Sequence, residues 1–475
     1  MKIEKFLIKN EFVSSEEIAE VVNPYSNEVV KKVYRSDKDQ INTSLNYLTN
    51  VFSKFKNTPV YLKADLLEKI SDKILINKEE LSRLITLESG KPIKFSRIEV
   101  DRAALTFKLG SEEAKRIDGE VINLDLMKGS ENTFGIVKRF PLGVILAITP
   151  WNFPVNLVAH KLAPALASGN VVLLKPASAS LTCGIELVKI IKECCDELNL
   201  DYCPVNVITS TGKVTEEFIN DGRIKMVSFT GSSIVGWDLK RKVNRQKISL
   251  ELGGNAGVIV DETADIKNAV AKIIVGGFGQ AGQSCISVQR VFIHKNIYKE
   301  FINLLKEETK KVKVGDPFNE DTDVASMITQ EDAKKVQTWI NDALEGGAKI
   351  ITGGEREKAV LQPTILTNTN KNMNVNSREV FAPLITLTEF DDFKKAVDEV
   401  NDSLYGLQAG VFTKNIDNIL YAFNNIETGG VVINNVSTYR MDSMPYGGVK
   451  DSGNGREGVK YAIEEMTERK VLVLT

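Results

Sequence analysis

Short runs of wholly apolar residues alternate with amphipathic stretches through the middle of the chain. Residues 143–148 form one such run, residues 155–167 have helical periodicity and stop at Gly169-Asn170, and residues 171–174 are apolar again. A helix over 181–198 follows, then strands at 205–208, 226–229 and 248–250, with a short helix near 214–219. Parallel neighbours need a crossover between them, so this order predicts a parallel sheet with helices on both faces. A second alternation begins after Asn255: strand 257–260, helix 264–274, strand 288–294, helices 299–311 and 330–344, and strands near Ile350, Thr364 and Leu384. The boundary between the two regions falls at Gly253-Gly254. Upstream, residues 1–12 read as a first strand, and residues 61–90 as scaffold helices ended by Gly90 and Pro92. Helix continues over 102–116, and residues 117–139 resemble a hairpin turning at Lys128-Gly129-Ser130, a projection suited to an oligomer contact.

Sheets of this kind bind ligands beyond the carboxyl ends of their strands. The unusual residues fall there: TPWNFP at 149–154, KPAS at 175–178, TGSS at 230–233 and ELGG at 251–254. Residues 231–236, GSSIVG, suit a strand-to-helix turn that offers N–H groups to a pyrophosphate. They lack the G-x-G-x-x-G spacing, so an ordinary turn stays open.

A chain of 475 residues is too long for one core and suggests two to three domains. The 61 basic and 63 acidic side chains leave a net charge of −2, which gives no reason to expect nucleic acid. The first residues carry no apolar h-region or cleavage site, so a secretory signal is not expected. The longest uncharged run, 140–160, is 21 residues long, but Pro141, Pro150 and Pro154 break it as a membrane helix. A cytoplasmic protein is expected. Cys183, Cys194, Cys195 and Cys203 lack the paired spacing and nearby histidines of a zinc site and read as structural thiols, and no metal is expected.

Cys285 stands apart, at the end of a glycine-rich uncharged segment, GGFGQAGQSCISVQR over 276–290. A reactive thiol needs exposure and a base or positive potential, and Gly276, Gly277, Gly279 and Gly282 would let backbone approach a ligand. The segment alone equally suits a small buried side chain.

Seven stretches in one order resolve this: TPWNFP, GNVVLLKPAS at 169–178, FTGSSIVG at 229–236, ELGGN at 251–255, GQSC at 282–285, EVFAP at 379–383 and PYGGVKDSGNGREG at 445–458. With these, and with Glu251 and Cys285 34 positions apart, the chain resembles the NAD(P)-dependent aldehyde dehydrogenase superfamily over nearly its whole length. The resemblance implies an α/β fold of two doubly wound parallel-sheet domains plus a small β oligomerisation element. Residues 1–118 and 140–253 would bind the dinucleotide, 254–445 would form the catalytic domain, and 119–139 with 446–475 would join subunits into a homodimer or homotetramer.

The same resemblance makes Cys285 the nucleophile, Glu251 the general base and Asn152 an oxyanion donor. An aldehyde hydrogen is a poor hydride until an oxyanion expels it, so a cysteine adduct, an uncharged donor and a base for the later water each have a reason. It gives Lys175 and Ser178 to the adenine ribose, Trp151, Gly231 and Ser232 to the adenosine and pyrophosphate, and Glu379 with Phe381 to the nicotinamide ribose. NAD-preferring members often carry glutamate where Ser178 stands. A neutral serine beside Lys175 therefore points to NADP over NAD.

For the substrate, Tyr439-Arg440-Met441-Asp442 and YAIEEMTE at 461–468 resemble the branch containing lactaldehyde, non-phosphorylating glyceraldehyde-3-phosphate and phosphonoacetaldehyde dehydrogenases. Members acting on phosphorylated substrates tend to carry an arginine before the cysteine or a histidine after the asparagine, where this chain has Ser284 and Phe153. A small hydroxy-aldehyde or semialdehyde is expected, with Arg102 and Arg440 as candidate anion contacts. Non-phosphorylating glyceraldehyde-3-phosphate oxidation is the alternative. A cysteine acyltransferase would have no use for Lys175, Ser232 and Glu379, and an inactive binding protein none for Asn152, Glu251 and Cys285 together.

Overall fold

The computed structural model describes residues 2–475. The first sheet has six strands, of which five, wholly or largely buried, are parallel in the order Val205–Val207, Val171–Lys175, Val144–Ile148, Ile224–Thr230 and Lys247–Glu251. The chain starts in the middle, winds outward one way, then returns and winds the other way. The reversal lies between Val144–Ile148 and Ile224–Thr230, where the loops leaving neighbouring strands diverge and open a crevice. Helices Asn156–Ser168 and Leu181–Glu197 cover the sheet. The first is buried all round and ends on the left-handed Gly169, φ 86°.

The second sheet has the order Lys349–Thr352, Thr364–Thr367, Leu384–Phe390, Val288–His294, Ala256–Val260, Gln408–Phe412 and Gly430–Ile433, parallel except for its first edge strand. It faces the first sheet end to end. Glu251 closes a first-sheet strand, whereas Gly254, Cys285 and Glu379 each lie just before a second-sheet strand begins.

The C-terminal segment divides differently from the sequence expectation of an oligomerisation element over 446–475. Gly453–Asn454 pairs antiparallel with Lys247–Glu251, and Val459, Ile463 and Met466 are buried in the first core. Their spacing puts one apolar face of helix Val459–Glu465 inward, so residues 453–466 belong to the first domain. Only Thr467–Leu474 joins the hairpin, pairing with Phe134–Pro141, which pairs with Glu120–Asn123. Among the described residues no helix is long and apolar enough to cross a membrane.

Candidate active site

A cavity of about 460 Å³ opens between the carboxyl ends of the first sheet and the amino ends of the second. Asn152, Glu251 and Cys285, from three separate segments, all line it.

The backbone before Cys285 is bent sharply. Gln280 (φ 55°, ψ 35°) and Ala281 (φ 53°, ψ 33°) are left-handed, and Gly282 follows at φ 65°. Such conformations cost roughly 1–3 kcal/mol per non-glycine residue and persist only where neighbours hold them. Here Gln280 Nε2 donates to the Asn152 carbonyl, and Gln283 Oε1 accepts the Ile328 N–H at 2.8 Å. A Cβ on Gly282 would fall 2.1 Å from the Ala382 carbonyl oxygen, and one on Gly254 would fall 2.1 Å from that of Cys285. The cysteine is therefore clamped from both sides. The other glycines of the segment act differently from the sequence reading: Gly276 and Gly277 lie inside helix Ile266–Phe278, and a Cβ on Gly277 would meet Ile385 at 2.7 Å. Gly277 serves helix-on-sheet packing, while Gly276 and Gly279 line the cavity.

Burial pushes the Cys285 thiol up to about 12, against the Tyr446 hydroxyl 3.0 Å away. Neither carboxylate oxygen of Glu251 has a hydrogen-bond partner among the described residues. Burial and the neighbouring Glu457 carboxylate raise its pKa well above the ordinary range, outweighing Arg440, Lys161 and Arg456. An unpartnered carboxyl with a raised pKa is suited to taking a proton from water. Asn152 Nδ2 donates one hydrogen to the Gln283 carbonyl at 3.1 Å; an amide nitrogen carries two, so a second is left for an oxyanion. The loop holding Asn152 is itself anchored by Glu99, which accepts the Val155 and Asn156 N–H groups at 2.9 and 3.2 Å and pairs with buried Lys91.

Behind these residues lies a buried ion network. Glu457 meets Arg440 at 3.0 Å and Lys161 at 3.5 Å, and Asp442 meets His160 and Arg102, each at 2.7 Å. Burial would raise the Asp442 pKa, but His160 and Arg102 hold it well below the usual range. Burial and then Arg440 push the His160 pKa down. Arg102 and Arg440 both line the cavity, yet each is already paired with a carboxylate, and only Arg440 Nε is buried without a partner.

On the cofactor side, Trp151, Gly231, Ser232, Glu379 and Phe381 line the cavity. The Trp151 and Phe381 rings meet edge to face at 5.7 Å. Ser232 caps helix Ser233–Lys242, and Glu379 accepts the Gly254 N–H at 2.9 Å while burial pushes it up to about 7. Lys175 and Ser178 lie outside this cavity. Lys175 ends the neighbouring strand, and Ser178 is exposed just beyond it. Among the described residues the buried Lys175 ammonium finds only the Pro176 carbonyl, at 3.3 Å, and burial, then the charge of Arg35, lower its pKa to about 8. An under-partnered cation, the N-terminus of helix Ser233–Lys242 and Thr230 Oγ1, buried without a partner among the described residues, lie across one sheet edge and fit an anionic dinucleotide.

Residues 12–472 match the model of the aldehyde dehydrogenase family. The chain belongs to that family. It is 43% identical over 472 residues to a 3-sulfolactaldehyde dehydrogenase of Priestia aryabhattai, covering 98% of this chain and 97% of the relative. Aldehyde dehydrogenase 21 of Physcomitrella patens, solved with the reaction product succinate, superposes with a TM-score of 0.97 at 39% identity, over 100% of this chain and 98% of that one. The glyceraldehyde-3-phosphate dehydrogenase GapN of Methanocaldococcus jannaschii, solved with NADP, gives 0.93 at 39% identity, over 97% and 100%. The chain is thus an NAD(P)-dependent aldehyde dehydrogenase. Sequence reasoning about this aldehyde dehydrogenase missed Tyr446, Lys161, Glu457, Gln280 and Gln283 as site residues. Tyr446 and Glu457 lay inside the PYGGVKDSGNGREG run, and Lys161 was the one lysine, arginine or carboxylate in the largely apolar helix Asn156–Ser168, the signal that could have found it.

Proposed function

We propose that this enzyme oxidises a small hydroxy-aldehyde or semialdehyde to the carboxylic acid, with Cys285 as nucleophile, Glu251 as base, Asn152 as oxyanion donor and NADP preferred over NAD. The convergence of Cys285, Glu251 and Asn152 on one cavity carries the reading. The Cys285 thiolate attacks the aldehyde carbon, and the new oxyanion takes hydrogen bonds from the second Asn152 N–H and the Cys285 N–H. The nicotinamide, when bound, accepts the hydride. The resulting thioester on Cys285 is hydrolysed by a water whose proton passes to Glu251, releasing the acid and the thiolate.

NADP preference rests on Ser178, which adds no negative charge, and on Lys175, whose ammonium lacks an acidic partner among the described residues; the nearby Arg35 is itself paired with Glu17 at 2.9 Å. A small polar substrate suits the part of the cavity bordered by Arg102 and Arg440. The names of the relatives, a sulfolactaldehyde enzyme and one solved with succinate, lean the same way. The GapN relative favours glyceraldehyde 3-phosphate as the second reading. Against it, Arg102 is spent on Asp442 and Ser284 is neutral. Five unpaired cysteines accord with a reducing cytoplasm, and the exposed strand Thr467–Leu474 with a homodimer or homotetramer.

An aldehyde-by-cofactor activity matrix tests this. High turnover of small hydroxy-aldehydes or semialdehydes to free acid with NADPH formation is expected. Turnover confined to long aliphatic or aromatic aldehydes would overturn the substrate reading, and kcat/KM for NAD far above that for NADP would overturn the cofactor reading.

A further inference from the structure

The Tyr446 hydroxyl oxygen lies 3.0 Å from Cys285 Sγ, although 161 positions separate the two in sequence. The tyrosine is buried and packs with Ile286 and Leu407 around the cysteine. The Arg440 guanidinium lies over its ring, 3.7 Å from the centroid, held there by Glu457 at 3.0 Å. A phenol facing a thiol can donate or accept, but facing a thiolate it can only donate. A cation on the ring face draws charge from the ring and makes the O–H a better donor.

We infer that Tyr446 is a catalytic hydrogen-bond donor to the Cys285 thiolate, and that Arg440 is the positioning residue that aims and polarises it. The inference rests on Cys285 being the nucleophile. No bond to carbon is involved: the S–H bond breaks, its proton passes to solvent water, the electron pair stays on sulfur, and the phenol keeps its own proton while sharing it with the thiolate. The charged and titratable groups that face Cys285 are Tyr446, Glu379, Arg440 and Glu251. Burial and the two carboxyls oppose ionisation of the thiol, Tyr446 and Arg440 favour it, and the hydroxyl of Tyr446 is the side-chain group hydrogen-bonded to sulfur. Phenylalanine would give the same apolar wall without the donor.

The test is the pH dependence of iodoacetamide alkylation at Cys285, followed by peptide mass spectrometry, with NADP binding as a check on folding. Tyr446→Phe is expected to move the profile up by about one pH unit, so that alkylation at fixed pH slows about tenfold, with NADP affinity unchanged. Arg440→Met is expected to move it the same way. Site-specific 3-fluorotyrosine at position 446, a stronger donor, is expected to move it down. An unmoved profile in Tyr446→Phe, or an upward shift with fluorotyrosine, would overturn the inference and leave Cys285 as nucleophile untouched. Aldehyde oxidation surviving in Cys285→Ala would instead remove the reading on which the inference rests.

Discussion

Lys175 is a cation that burial has made titratable near neutrality, with a pKa lowered to about 8 by burial and by Arg35. An ammonium pairs with a 2′-phosphate only while protonated, so the pairing is strongest below that value and weakens as pH rises past it. KM for NADP is therefore expected to climb between about pH 7.5 and 9 while KM for NAD stays level. Lys175→Met is expected to raise KM for NADP about tenfold or more at pH 7 and to abolish that pH dependence. Initial-rate kinetics with both cofactors check both outcomes. Asn152, Glu251 and Cys285 were singled out by the family resemblance of the runs that hold them, since the Cys285 segment alone equally suited a small buried side chain; the fold brings all three to one cavity. The Tyr446 contact to sulfur was not, because nothing in local pattern reports a distance between residues 161 positions apart.

At the scale of elements, the strands of the first sheet were legible because apolar residues fill both of their faces. Gly453–Asn454 was not, since a two-residue strand has no period to detect. The turn before Cys285 was read from its glycines, yet its bend is carried largely by Gln280 and Ala281, whose left-handed backbone is held by partners in distant segments. Gly254 is the element-level counterpart, where the chain leaving the first sheet touches the Cys285 carbonyl. Gly254→Ala would set a Cβ 2.1 Å from that backbone oxygen, so one strand start or the other must shift. A misplacement of about 1 Å costs on the order of 10²-fold in rate. Steady-state assays are expected to show a fall in kcat of that size, with the thermal midpoint lowered as well.

Over the whole molecule, the two-sheet plan follows from two successive alternations of strand and helix, with a first-sheet strand ending at Glu251 and a second-sheet strand beginning at Ala256. The C-terminus was read as one unit because KVLVL dominates its pattern, whereas burial of Val459, Ile463 and Met466 ties residues 453–466 to the first core. What remains of that element leaves Val471, Leu472 and Val473 each about half exposed on an edge strand, an arrangement that invites pairing with another chain. Val471→Lys combined with Val473→Lys, two positions on one face, is expected to reduce the particle to a single chain by light scattering. An unchanged mass would count against this strand as a subunit contact. The central claim joins three segments of two sheets in one covalent cycle: Cys285 carries the acyl group and Glu251 is needed to remove it. Glu251→Gln incubated with a turned-over aldehyde and NADP, then digested for mass spectrometry, tests it most directly. An acyl group on the Cys285 peptide with about one NADPH formed per site is expected. NADPH formation with no adduct, or an adduct on any other residue, would contradict it.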